Sequence, residues 1–175
     1  MSDPWKWQLT VGNMAHRQGL ILASRSPHSA SFVELRQSFQ SEVQVISRFV
    51  DQLMRFILHF RSADGSEIDI ETALHEALAN AMIHGNRENP SKRVCVEYRC
   101  YADGEVSITV RDEGQGFDTN AVPDPTAPGR RLSEHGRGIY FLKTLMDEVS
   151  FEEGGTVVRM RKKLNVGPDA PKTVE

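Results

Sequence analysis

Trp5, Trp7, Leu9 and Val11 alternate with Lys6, Gln8 and Thr10, the period of a half-buried strand, and Leu20 to Ala23 forms a second short apolar run. From Ser31 the period changes. Ser31 stands three residues before Glu34, as in a capping box, and Phe39, Val43, Ile46, Val50, Leu53, Ile57 and Phe60 follow at alternating spacings of four and three. This predicts one long amphipathic helix. Phe49 and Phe56 widen its apolar stripe beyond a coiled-coil seam, so the helix is expected to pack on a sheet or core.

After the turn Ala63-Asp64-Gly65, a second helix is expected from about Ile70 to His84, stopped by Gly85-Asn86 with Pro90 beyond. Arg93 to Tyr101 and Glu105 to Arg111 then read as strands, joined by Ala102-Asp103-Gly104 as a hairpin turn. A Gly- and Pro-rich loop from Asp112 to Gly138 is long for a compact domain, which marks it as functional or mobile. A helix from about Ile139 to Met146, a strand from Val149 to Glu152, a Gly154-Gly155 turn and a strand from Thr156 to Lys163 complete the pattern. The last residues, Asn165 to Glu175, carry almost no apolar side chains and are expected to be disordered.

Composition narrows the class of protein. At 175 residues and 39% hydrophobic, the chain suits one domain with a sizeable core. A formal charge of -3 and a pI near 6.1 exert no general pull on nucleic acid or anionic membrane, so direct nucleic-acid binding is not expected. Cys95 and Cys100 lie five apart on one predicted strand and point to opposite faces, which rules out a local disulfide or chelate. No run reaches the ~18 apolar residues of a membrane span. The amino terminus MSDPWKWQLT has neither a basic n-region nor an apolar h-region. A cytoplasmic protein with no membrane association is the expectation.

Chemistry is concentrated in the second helix and the loop. Ile70, Leu74, Ala77, Leu78 and Ala81 form an apolar stripe, while Glu76 and Asn80 fall together on the other side, one turn apart. Ala73, Ala77 and Ala79 flank them with minimal side chains, so a ligand could approach closely. A carboxylate beside an amide oxygen suits proton removal next to a hard cation that keeps phosphate and water ligands. Asp112 ends a strand and is followed by Gly114 and Gly116, an acid for an exocyclic amine and a surface for a flat ring. Gly136 and Gly138 precede a predicted helix whose free N–H groups would face the loop, and Arg130, Arg131 and Arg137 lie around them, a seat for phosphate.

In this order, the motifs resemble those of the ATP-binding domain shared by gyrase, Hsp90, histidine kinases and MutL, the GHKL or Bergerat superfamily. Within it the sequence is most similar to the bacterial anti-sigma factor serine/threonine kinases. Glu76 to Asn86 resembles the N-box, Asp112 to Asp118 the G1 box and Gly136 to Asp147 the G2 box. The likeness covers roughly 29–164, leaving 1–28 as a strand-like extension and 165–175 as a tail. It implies an α/β fold, an α+β two-layer sandwich with a mixed, mainly antiparallel sheet and helices on one face. It also implies that Asn80 ligates Mg²⁺ on ATP, that Glu76 is the general base and that Asp112 binds the adenine amine. Gly114 and Gly116 would line the base, Thr156 would support it, 119–135 would be a lid, and Gly136 and Gly138 would meet the phosphates.

The implied activity is transfer of the γ-phosphoryl group to a Ser or Thr of an anti-anti-sigma (STAS-type) protein by a homodimer that also holds a sigma factor. The alternative is a sigma-binding module in which ATP only sets conformation. Other chemistries lack their signatures. His75-Glu76 is followed by Ala79 where a zinc protease needs histidine, and there is no P-loop and no GxSxG elbow.

Overall fold

The computed structural model describes residues 8–12, 32–60, 65–118 and 134–164. The Trp5, Trp7 and Leu20–Ala23 patterns, most of the expected lid and the tail fall outside them. A six-stranded sheet in the order β1-β2-β3-β4-β6-β5 forms the frame. Its strands are β1 (Gln8–Gly12), β2 (Phe32–Gln40), β3 (Arg93–Tyr101), β4 (Glu105–Asp112), β5 (Glu148–Glu152) and β6 (Val157–Lys163). Each of the five ladders is antiparallel, where the expected sheet was mixed and mainly antiparallel.

The helix expected from Ser31 is the main correction. Phe32–Gln40 is a strand, followed by a short 3₁₀ turn at Val43–Val45, and helix α1 begins only at Ile46 and runs to Phe60. Leu35, Gln37 and Phe39 are buried while Arg36, Ser38 and Gln40 are exposed, a period of two that the four-three spacing of the larger apolar residues concealed. A capping box offers a few local bonds. The strand instead pairs along its whole length with β3, from Phe32↔Tyr101 to Gln40↔Arg93, and along its first half with β1. Two ladders outweigh one cap.

Register places Phe39, Leu35, Val96, Tyr98, Ile108, Val110, Val158 and Met160 on one face. All three helices cover that face. Phe49 of α1 stacks on Phe39 at 4.8 Å and Phe56 meets Tyr98 edge-on at 6.1 Å. Lys162, from the same face of β6, donates to Asp69 in helix α2 (Ser66–Ala79) at 2.8 Å and to the Leu145 carbonyl of helix α3 (Glu134–Leu145) at 2.6 Å. Phe49, Val50, Leu53 and Ile57 are at most 1% exposed, each contributing about 1.5–3 kcal/mol by burial. The opposite face is polar, with Arg36 paired to Glu97, Arg99 to Glu34 and Glu97, and Arg161 to Glu148 and Glu105.

Among the described residues no helix is long and apolar enough to cross a membrane, and neither cysteine forms a disulfide. β1, at the start of the chain, is an edge strand of this same sheet.

Candidate functional site

Helix α2 starts after Gly65, whose left-handed backbone (φ 93) breaks the preceding chain, and Glu67 and Asp69 in its first turn favour the positive end of the helix dipole. Ile70, Ala73, Leu74, Ala77 and Leu78 are its buried stripe. Their spacing rolls Glu76 and Asn80 to the other side, where both are half-buried. Asn80 Nδ2 donates to Glu76 Oε1 at 3.2 Å, which holds the carboxylate and leaves the Asn80 amide oxygen for a ligand.

At Asn80 the helix widens into a π-turn, Asn80–Gly85, closed by Asn86 N–H donating to the Ala81 carbonyl at 2.8 Å. Such turns concentrate at functional sites because they re-aim side chains without ending the helix. Here the turn carries the chain from Asn80 to Gly85, whose backbone lies against Asp112. An ideal Cβ on Gly85 would stand 2.6 Å from Asp112 Cγ and Oδ1.

Asp112 ends β4 as expected. Its N–H donates to the Thr156 carbonyl at 3.0 Å, and its Oδ1 accepts from Gly114 N–H at 2.7 Å, leaving Oδ2 for an outside donor. Burial pushes its carboxyl above the ordinary range, partly offset by the Gly114 N–H and the Lys92 charge. Gly116 is left-handed (φ 70), and a Cβ there would meet the Gly154 backbone and stand 3.3 Å from Thr156 Cγ2. Gly114, Gly116 and Thr156 therefore do gather around Asp112.

The glycines of the second box sit differently from expectation. α3 begins at Glu134, not Ile139, so Gly136 and Gly138 lie inside the helix. Free N–H groups belong to its first turn, up to Gly136. Gly138 follows them, and its backbone lies against the acid-amide pair: an ideal Cβ would overlap Glu76 Oε1 and stand 3.0 Å from Asn80 Nδ2. Arg137 is exposed, and Arg130 and Arg131 lie outside the described residues.

Two features of the site escaped the sequence reading. Gly85-Asn86, read as a helix stop and as the end of the N-box with no role of its own, packs on the Asp112 segment with both residues. Phe117 meets Phe151 edge-on at 5.5 Å and its N–H donates to the Gly154 carbonyl at 2.9 Å, tying the loop after Asp112 to the β5–β6 turn. The Gly154-Gly155 pair was the available signal for that contact.

Among the described residues no three His, Cys, Asp or Glu side chains gather as a metal cage. A nucleotide-bound Mg²⁺ needs none, since it takes one or two protein oxygens and completes its shell with phosphate and water. The Asn80 amide oxygen, which the bond to Glu76 does not use, fits that donor set.

Comparison with known proteins identifies the domain family. A family model described as a histidine kinase-like ATPase domain matches residues 39–162. An anti-sigma F factor of Heyndrickxia coagulans is 39% identical over 99 residues, spanning 54% of this chain and 67% of that protein. An anti-sigma F factor of Clostridium botulinum is 39% identical over 105 residues, spanning 56% and 71%. The serine-protein kinase RsbW of Bacillus subtilis is 35% identical over 104 residues, spanning 55% and 64%. The match reaches from the end of β2 to the last strand and takes in all three sequence boxes, so the chain belongs to the histidine kinase-like ATPase domain family.

Proposed function

We propose that the protein is an ATP-dependent serine/threonine kinase and anti-sigma factor that phosphorylates an anti-anti-sigma protein of the STAS type. The observation that carries this reading is the Asn80–Glu76 hydrogen bond at the start of a π-turn whose other end touches Asp112. One continuous segment thus links an acid-amide pair, suited to phosphoryl transfer, with an acid suited to an adenine amine. The names of the relatives, anti-sigma F factor and serine-protein kinase, support the same assignment.

Asp112 Oδ2 accepts the exocyclic amine of adenine, with Gly114, Gly116 and Thr156 forming the wall beside the ring. The free N–H groups at the start of α3, including that of Gly136, receive phosphate oxygens, and the side chains of Arg130, Arg131 and Arg137 add charge. Asn80 would hold Mg²⁺ through its amide oxygen, where the ion would neutralise phosphate charge. Glu76 takes the proton of the acceptor hydroxyl as its oxygen bonds to the γ-phosphorus and the bond to the β,γ-bridging oxygen breaks, releasing ADP. The Asn80 N–H on Oε1 orients that carboxylate and leaves Oε2 for the proton. A regulator of this kind acts as a homodimer in the cytoplasm, where its sigma factor works.

The test mixes the protein with Mg-ATP and candidate anti-anti-sigma proteins. Glu76→Gln is expected to bind nucleotide and transfer no phosphate, while Asn80→Ala loses transfer and Mg²⁺-dependent nucleotide affinity. Transfer by Glu76→Gln at the wild-type rate would remove Glu76 as the base. Tight sigma binding with no transfer to any partner would replace the kinase with a binding module.

A further inference from the structure

Asn86 is 1% exposed, and its side chain is neither core filler nor part of the ligand wall. The β3–β4 ladder runs in register up to Val94↔Asp112, so the next facing pair is Arg93 and Glu113. At that position the Asn86 carboxamide is inserted. Nδ2 donates to the Arg93 carbonyl at 2.9 Å and Oδ1 accepts the Glu113 N–H at 2.9 Å. Glu113 Oε2 in turn accepts the Arg93 N–H at 2.8 Å. The amide acts as a spare peptide group between the strands, and the chain leaves the sheet immediately after Asp112.

We infer that Asn86 is a positioning residue for nucleotide base selectivity: it sets where the Asp112 carboxylate stands by fixing the backbone on its C-terminal side. The inference rests on the reading of Asp112 as the adenine-recognising acid. Thr156, just before β6, holds the N–H of Asp112, and Asn86, just after the π-turn, holds the next N–H, that of Glu113. Between those anchors the carboxylate rests on Gly85, the residue bonded directly to Asn86. Only a carboxamide of this length supplies a donor and an acceptor at these two points. Aspartate would set a carboxylate against the Arg93 carbonyl, and leucine, similar in shape, would leave both part-buried backbone groups without these partners.

The experiment compares binding of ATP and of purine riboside triphosphate, which lacks the 6-amine, to wild type, Asn86→Asp and Asn86→Leu, alongside thermal melts. Wild type is expected to prefer ATP by about 10-fold or more, the scale of one charge-assisted hydrogen bond. Both variants are expected to lower that ratio at least ~5-fold while changing affinity for the amine-free nucleotide less than ~2-fold, because its anchoring is through the phosphates. Variants that melt earlier but keep the wild-type ratio would reduce Asn86 to a structural role and overturn the inference. A wild type that binds the two nucleotides equally would instead refute the adenine role of Asp112. Hydrogen exchange on unsubstituted protein avoids any folding defect. The Glu113 amide is expected to be protected at least ~5-fold more by ATP than by the amine-free nucleotide, and equal protection would overturn the inference.

Discussion

Gly138 of α3 lies with its backbone against the Glu76 carboxylate of α2, with no room for a Cβ between that backbone and Oε1. The obstacle is the far end of a flexible side chain, so a methyl group there displaces Glu76 and leaves the fold intact. Gly138→Ala is therefore expected to leave the melting temperature unchanged or raise stability by up to about 1 kcal/mol, the helix propensity gained over glycine. Phosphoryl transfer is expected to fall by about 100-fold, the usual effect of moving a catalytic group by an ångström. Single-turnover transfer and thermal melts on one preparation separate the two. Wild-type transfer in Gly138→Ala would mean that the contact does not position the base.

Acidification tests Asp112. Burial raises its folded pKa above the ordinary value of 3.8, so the carboxylate is lost as an acceptor at a higher pH than an exposed aspartate would be. ATP affinity is expected to decline as pH falls toward that raised value, while Asp112→Asn, weaker throughout, shows no such decline beyond that of the nucleotide's own phosphates. The stability effect has the opposite sign. The folded state holds the proton more tightly, so this group's contribution is fully present below the unfolded pKa and is lost as pH rises through the folded one. Calorimetric titration across the acid range measures the first effect; identical pH profiles for the two proteins would count against Asp112 as the base acceptor.

Gln37 is 3% exposed on the helix-covered face of β2, and among the described residues neither its amide nitrogen nor its amide oxygen has a hydrogen-bond partner. Replacing it with methionine keeps the length and removes two polar atoms that burial penalises. Gln37→Met is expected to stabilise the protein by about 1–3 kcal/mol. Urea denaturation gives the value directly, and a lower midpoint would show that the amide is bonded in solution.

Most of the strand frame after residue 90 was legible because it is written locally. Arg93–Tyr101 begins and ends where alternation and the Asp103-Gly104 turn place it, and the Gly154-Gly155 turn sets the last hairpin. Glu76 and Asn80 were legible for the same reason, since helical periodicity alone puts them on one face opposite the buried stripe. Phe32–Gln40 was misread because its apolar positions satisfy two periods at once, and only the neighbouring strands choose between them.

The chain by itself determined which residues are candidates for chemistry and the order in which they come, because periodicity and turn residues act over a few positions. Tertiary structure decided how they meet. It made Asn86 a wedge between β3 and β4, Gly85 the floor under Asp112, and Gly138, inside the helix, a contact on Glu76. Those pairs join residues distant in sequence, and their distances depend on how helices pack on the sheet. No local pattern encodes that spacing, so it becomes readable only when the layers are assembled.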